Sequence, residues 1–134
     1  LIFTCSKDNH PTLWMADDGE RVGTFEGHAG SVWSLDVTFD SAFLLTASAD
    51  QSVKLWNVST GEELFEWKHS GPARTVAWAE GDKEFLTVTN PFSGRPACIR
   101  VFEFTADPET QPREPRLVIE AELEHGARAM ITHA

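Results

Sequence analysis

The 134-residue sequence predicts an all-β protein built from repeated small sheets, and three observations carry that expectation. Short stretches alternate apolar and polar residues: "SVWSLDV", "SVKLWNV" and "LVIEAEL" each put every second side chain on one face. In the second of these, Val53, Leu55 and Asn57 share one face while Lys54, Trp56 and Val58 share the other. Turn-forming clusters separate such stretches: "ADDGE" at 16–20, "GHAG" at 27–30, "STGE" at 59–62, "HSGP" at 69–72 and "EGD" at 80–82. The chain also repeats itself. Residues 3–20, "FTCSKDNHPTLWMADDGE", match residues 45–62, "LTASADQSVKLWNVSTGE", with Asp8 and Asp50, and Trp14 and Trp56, each 42 positions apart. No stretch carries the apolar period of an amphipathic helix.

The elements follow in order from these signals. Residues 1–25 supply the last three strands of a first repeat, which opens in the strand-like "LIFTCSKD". A complete second repeat occupies residues 26–67. In the third, residues 68–124, "EFLTVT" answers "FLLTAS", but "CIRVFEF" answers "SVKLWNV" only after an insertion. That insertion lies in "TNPFSGRPA", whose prolines and glycine suit an enlarged turn and cannot continue a paired ladder. The Pro-rich, acidic loop from residue 105 to 116 reads as an extended, solvated turn before an outer strand, with partner binding as its second reading. Residues 125–134 start a fourth repeat.

A period near 42, four short strands per period, a Gly-His before the first strand and an aromatic residue in the third together resemble the blades of WD-repeat β-propellers. The Trp of that family usually precedes Asp. Here Met15 and Asn57 follow the tryptophans, and Phe102-Glu103 stands at the third position. The resemblance implies a hydrogen-bonded chain within a blade, made here by His28, Ser48, Asp50 and Trp56. Enclosed imidazole, hydroxyl and indole groups each need such a partner. The preceding copy keeps Ser6, Asp8 and Trp14 for a partial chain. The following copy keeps His69 but offers Thr89, Pro91 and Phe102, so packing is expected to hold it. Propellers close with four to eight blades, so about three blades imply that the natural protein is longer; seven is the blade count that the family resemblance implies.

Composition narrows the function. With 21 acidic and 11 basic residues the formal net charge is −10, which disfavours a broad nucleic-acid surface. No apolar run is long enough to span a bilayer, so no membrane partner is expected, and the chain reads as cytoplasmic. Cys5 and Cys98 lie far apart with no ligand spacing around them and read as reduced and buried. His10, His125 and His133 share no spacing, and "EGHAGS" lacks the ending of a phosphate loop, so no metal or cofactor is expected. His28, Ser48 and Asp50 also invite a catalytic-triad reading. It lacks a strained nucleophile turn and an oxyanion donor pair, so the expectation is that the chain has no catalytic residues and is not an enzyme.

A closer resemblance rests on "LIFTCSKD", "GERVGTFEGHAGSVWSLDV" and "LLTASADQSVKLWNVSTGE". With "NPFSGRPACIRVFEF", these resemble the first blades of the i subunit of eukaryotic translation initiation factor three over most of residues 1–104. The resemblance implies a non-catalytic scaffold within the factor that loads mRNA and initiator tRNA onto the small ribosomal subunit, with the b and g subunits as partners. It assigns no partner-binding residues on this stretch. Two other readings stand beside it: a WD-repeat adaptor of the receptor-associated kinase-scaffold type, and a propeller that reads peptides at its central mouth.

Overall fold

The computed structural model describes residues 1–5, 7, 9–105, 107 and 109–120. Among these residues there is no helix; eleven strands form three antiparallel sheets. The first sheet contains β1 (Ile2–Thr4), β2 (Thr12–Trp14) and β3 (Arg21–Thr24) in chain order. The second contains β4 (Val32–Val37), β5 (Phe43–Ser48), β6 (Ser52–Asn57) and β7 (Glu63–Lys68), also in chain order. The third contains β8 (Ala73–Trp78), β9 (Glu84–Thr89), β10 (Cys98–Glu103) and β11 (Leu117–Glu120). The start of a fourth repeat assigned to residues 125–134 lies outside the described residues.

Register turns the alternating pattern into two buried faces. In the second sheet Leu44 pairs Trp56, Leu45 pairs Leu55, Thr46 pairs Lys54 and Ala47 pairs Val53. Successive side chains point to opposite sides, so Leu44 and Trp56 face the first sheet and pack with Leu13 and Phe25. Leu45, Ala47, Val53 and Leu55 face the third sheet and pack with Val76, Phe85 and Phe102. Both faces of β5 and β6 are therefore covered, which explains a run of apolar residues too dense for a one-sided sheet. Each buried Leu, Val or Phe contributes about 1.5–3 kcal/mol relative to exposure.

Polar ties set the second and third sheets side by side. The Ser34 hydroxyl accepts the Val76 amide at 3.4 Å, and Asp36 Oδ2 accepts the Trp78 amide at 2.8 Å. The Trp78 indole returns a bond to the Asp36 carbonyl, and the Phe39 amide donates to Asp82. These pairings run in step along β4 and β8, so the two strands lie in the same direction.

The insertion before β10 folds as a miniature hairpin. Phe92 and Arg95 exchange both backbone hydrogen bonds, and the two residues between them, Ser93 and Gly94, have φ of 52° and 80°. Two consecutive positive φ values are what a tight two-residue hairpin demands, and a glycine relieves the second. The loop before β11 is exposed at most of its described residues, as its composition suggests, but it is anchored at two points. Gln111 is buried, accepts the Thr105 amide and donates to the Glu103 carbonyl, while the Trp67 indole donates to the Pro112 carbonyl. Arg113 lies over the Phe65 ring at 5.0 Å, so this loop packs against the outer strand of the neighbouring sheet. β11 itself is exposed along its length.

Candidate functional site

The polar centre of the second sheet is assembled from four elements. The turn before β4 supplies His28, β5 supplies Thr46 and Ser48, the β5–β6 turn supplies Asp50, and β6 supplies Ser52 and Trp56. Gly30 allows the turn to approach closely, since a Cβ there would sit 3.0 Å from the Asp50 amide.

His28 is buried, with Nδ1 at 2.9 Å from Asp50 Oδ2 and Nε2 at 2.6 Å from Thr46 Oγ1. The fully buried Trp56 donates its indole N–H to the same Thr46 oxygen at 2.9 Å. These contacts fix the direction of the chain's two outer bonds. The Asp50 carboxylate can only accept, so His28 Nδ1 donates to it; the Thr46 hydroxyl accepts from Trp56 and pairs with His28 Nε2. The chain runs from Trp56 through Thr46 and His28 to Asp50, with every group satisfied.

Asp50 is the anchor. Besides His28 it accepts the Ala29 amide at 3.0 Å, the Ser52 amide at 2.9 Å and the Ser52 hydroxyl. Burial by itself would raise the carboxyl, but the bonds from His28, Ser52 and the Ala29 amide outweigh it and hold the group well below the usual carboxylate range. A charge-assisted acceptor at a tight turn thus joins the β4, β5 and β6 ends of one sheet.

Ser48, the hydroxyl expected in this chain, stands elsewhere. It donates toward the Gly30 and Ser31 carbonyls at 3.0 and 2.9 Å and accepts the Asp50 amide. The reason is reach. The indole of Trp56, opposite Leu44, meets the diagonal neighbour Thr46, while Ser48 sits two residues, roughly 7 Å, further along the strand. Ser48 also makes no hydrogen bond to His28, so the hydroxyl, imidazole and carboxylate are not lined up as a nucleophile, base and orienting acid.

The neighbouring sheets vary this theme. In the first, the Trp14 indole donates to the Thr4 hydroxyl at 2.8 Å; Ser6 and Asp8 lie outside the described residues. In the third, His69 Nε2 lies 2.8 Å from Thr87, not Thr89, and Nδ1 donates to the Trp67 carbonyl at 3.1 Å. Burial, reinforced by the Arg100 charge and opposed by the Trp67 carbonyl, pushes His69 down to about 4, so its ring is neutral. Arg100 donates to Thr89 and Ser70. Phe102 stacks on Phe85 with ring centres 5.2 Å apart, and Trp67 packs at 4.9 Å from Phe85. Threonine therefore recurs as the central hydroxyl at Thr4, Thr46 and Thr87, a periodic signal already present in the sequence. Among the described residues, no three His, Cys, Asp or Glu side chains converge to hold a metal.

Repeated antiparallel sheets joined face to face, each with a threonine-centred bond (Thr4 on β1, Thr46 on β5, Thr87 on β9), define WD-repeat β-propeller blades. Residues 19–57 match the family described as "WD domain, G-beta repeat". Beyond that class, the chain is similar to Eukaryotic translation initiation factor 3 subunit I over most of its length. The relative from Debaryomyces hansenii is 40% identical over 122 residues, which is 90% of this chain and 35% of the relative. That from Scheffersomyces stipitis is 38% identical over 134 residues, 98% of this chain and 38% of the relative. The Saccharomyces cerevisiae protein is 37% identical over 110 residues, 82% of this chain and 32% of the relative. The chain thus spans about a third of the length of these relatives.

Proposed function

We propose that this chain acts within a non-catalytic scaffold subunit of eukaryotic translation initiation factor 3 in the cytoplasm. In this reading its blades help to dock the b and g subunits and support mRNA recruitment and scanning on the small ribosomal subunit. The observation that carries the proposal is the 40% identity to a subunit I over 122 residues, 90% of this chain and far more than the residues 19–57 that match the generic repeat. The chemistry of the blades agrees with it. His28, Ser48 and Asp50, the residues that invite a catalytic-triad reading, hold turns and strands together. Rigid sheets with differing turns and edges offer separate surfaces to separate partners.

The test is affinity purification of the endogenous protein at two salt concentrations, with mass spectrometry of what stays bound. Factor 3 subunits and small-subunit ribosomal proteins are expected at low salt, with the b and g subunits surviving at high salt. Recovery of kinases, splicing complexes or receptor complexes in their place would overturn the proposal and favour the adaptor reading.

A further inference from the structure

The outer strands of the first and second sheets carry the same irregularity at the same place. In β7, Leu55 pairs Phe65 and Trp56 pairs Glu63, which leaves Leu64 as an extra residue. In β3, Leu13 pairs Gly23 and Trp14 pairs Arg21, which leaves Val22. The shared bulge sets Gly23 where the next repeat has Phe65, and Phe25 where it has Trp67. At the outer rim between the second and third sheets, Phe65 and Trp67 fill the gap with ring centres 4.5 Å apart, and the loop before β11 lays Arg113 over Phe65.

Between the first and second sheets the same gap stays open. A Cβ added at Gly23 would meet nothing within 4 Å, and Val22 is 54% exposed. The β6–β7 turn spans only residues 58–62, against 104–116 for the loop before β11, so among the described residues no strap like Pro112 and Arg113 crosses the gap. A cavity of about 140 Å³ results, with Leu13, Phe25 and Val58 as its apolar lining and residues 59–61 at its margin. All its walls come from described residues. It lies on the outermost strand of the first sheet, on the far side from β1 and β4.

We propose that this rim gap is a docking site for an extended segment of a partner protein, in which an aromatic side chain takes the place of Phe65 and a basic residue stands beside it. The size suits one ring, since a cavity of about 150 Å³ lined by aliphatic and aromatic side chains accepts benzene. Charge selects the neighbour. Asp17, Asp18 and Glu20 of the β2–β3 turn and Glu62 beside Gly61 stand exposed at this end of the gap. Of the two bases on β2, β3 and β6, Arg21 stands opposite Trp14 on the face turned away from Leu13, and Lys54 is buried and paired with Glu63. What the chain itself lays across the neighbouring rim is also basic: the Pro112 carbonyl accepts the Trp67 indole N–H and Arg113 covers Phe65. The site does not rest on the b and g contacts proposed above.

The test uses the protein at its natural length and an NMR titration that follows the Val22 and Val58 methyl groups at physiological salt. The probe is a peptide of about ten residues with one Phe next to an Arg in a Gly–Ser background; one control has Ala for Phe and the other has Gln for Arg. The probe should bind about tenfold more tightly than the Ala control, through burial of one ring, and about threefold more tightly than the Gln control. Gly23→Phe lets the chain fill its own gap as Phe65 does. It should abolish the preference for Phe over Ala and raise the melting temperature, because the space is open and the strand gains a ring. Equal binding of the probe and either control to the unmodified protein, a comparison that needs no variant to fold, would overturn the proposal. So would a preference for Phe that survives Gly23→Phe. A lower melting temperature for Gly23→Phe would overturn it too, by showing the gap already filled by another segment of the natural protein.

Discussion

The second and third sheets have the same strand order and pack on each other, yet they secure their centres by different chemistry. In the second, a continuous polar chain joins Trp56 to Asp50 through Thr46 and His28. In the third, the His69–Thr87 bond survives, but the chain ends on a backbone carbonyl on one side and on no indole on the other. Phe102 takes the aromatic position and stacks on Phe85. The comparison separates two things that a repeat conflates: the histidine–threonine pair belongs to the architecture, while the carboxylate and the indole are one of two ways to complete it. Where they are missing, stacked rings and the Arg100 fork bonded to Thr89 and Ser70 fill the same role.

The comparison breaks most readily at the aromatic residues. Trp56→Ala and Phe102→Ala should each cost about 3–5 kcal/mol in urea unfolding, because both remove a large buried ring. A markedly smaller loss at Phe102 would mean that packing is not what holds the third sheet. Asp50→Ala should cost about 3 kcal/mol, since it leaves the His28 ring N–H, the Ala29 and Ser52 amides and the Ser52 hydroxyl without their acceptor. The third sheet has no acid at this position, so this loss is specific to the second.

Acid sharpens the contrast further. His69 binds its proton less readily when folded, at about 4 against an ordinary 6.5, so the unfolded chain takes up the proton first as pH falls. Its stabilising contribution is complete above 6.5, declines between 6.5 and 4 and levels off below, a total of roughly 3 kcal/mol. Subtracting the profile of His69→Gln from that of the unmodified protein isolates this slope. Asp50 has the opposite window. Its carboxyl is depressed, so its contribution is present above the ordinary carboxylate value and fades only as pH drops below it.

The smallest effects distinguish the two hydroxyls. Thr46→Val should cost about 2 kcal/mol, because it strands the Trp56 indole and the His28 Nε2 in the core while keeping the shape. Ser48→Ala should cost about 1 kcal/mol, through the Asp50 amide it leaves unpaired.

How much of this was legible in the sequence depends on whether a feature was local or diagonal. The alternation in "SVKLWNV" placed Val53 and Leu55 on one face and Trp56 on the other, because a period of two residues maps directly onto the pleat. His28, Asp50 and Trp56 were legible as a set from their place in the repeat. The choice between Thr46 and Ser48 was not, since hydroxyl residues recur at both positions in the copies: Thr4 and Thr87 for one, Ser6 and Thr89 for the other. Only the cross-strand diagonal from Trp56 decides it. The bulges at Val22 and Leu64 were invisible for a similar reason, because a bulge is a property of the pairing and not of one strand. The loop before β11 is exposed at most of its described residues, as its prolines and acids suggest; what composition could not show is that Gln111 and the Pro112 carbonyl tie it to the sheets.

Hydrogen exchange at the Trp56 indole N–H, compared between the unmodified protein and the Thr46→Val and Ser48→Ala variants, tests the threonine-centred chain most directly. The expected result is strong protection in the unmodified protein, a rise of roughly tenfold or more in exchange for Thr46→Val, and little change for Ser48→Ala. Exchange that accelerates in Ser48→Ala and not in Thr46→Val would contradict it, returning Ser48 to the centre of the blade.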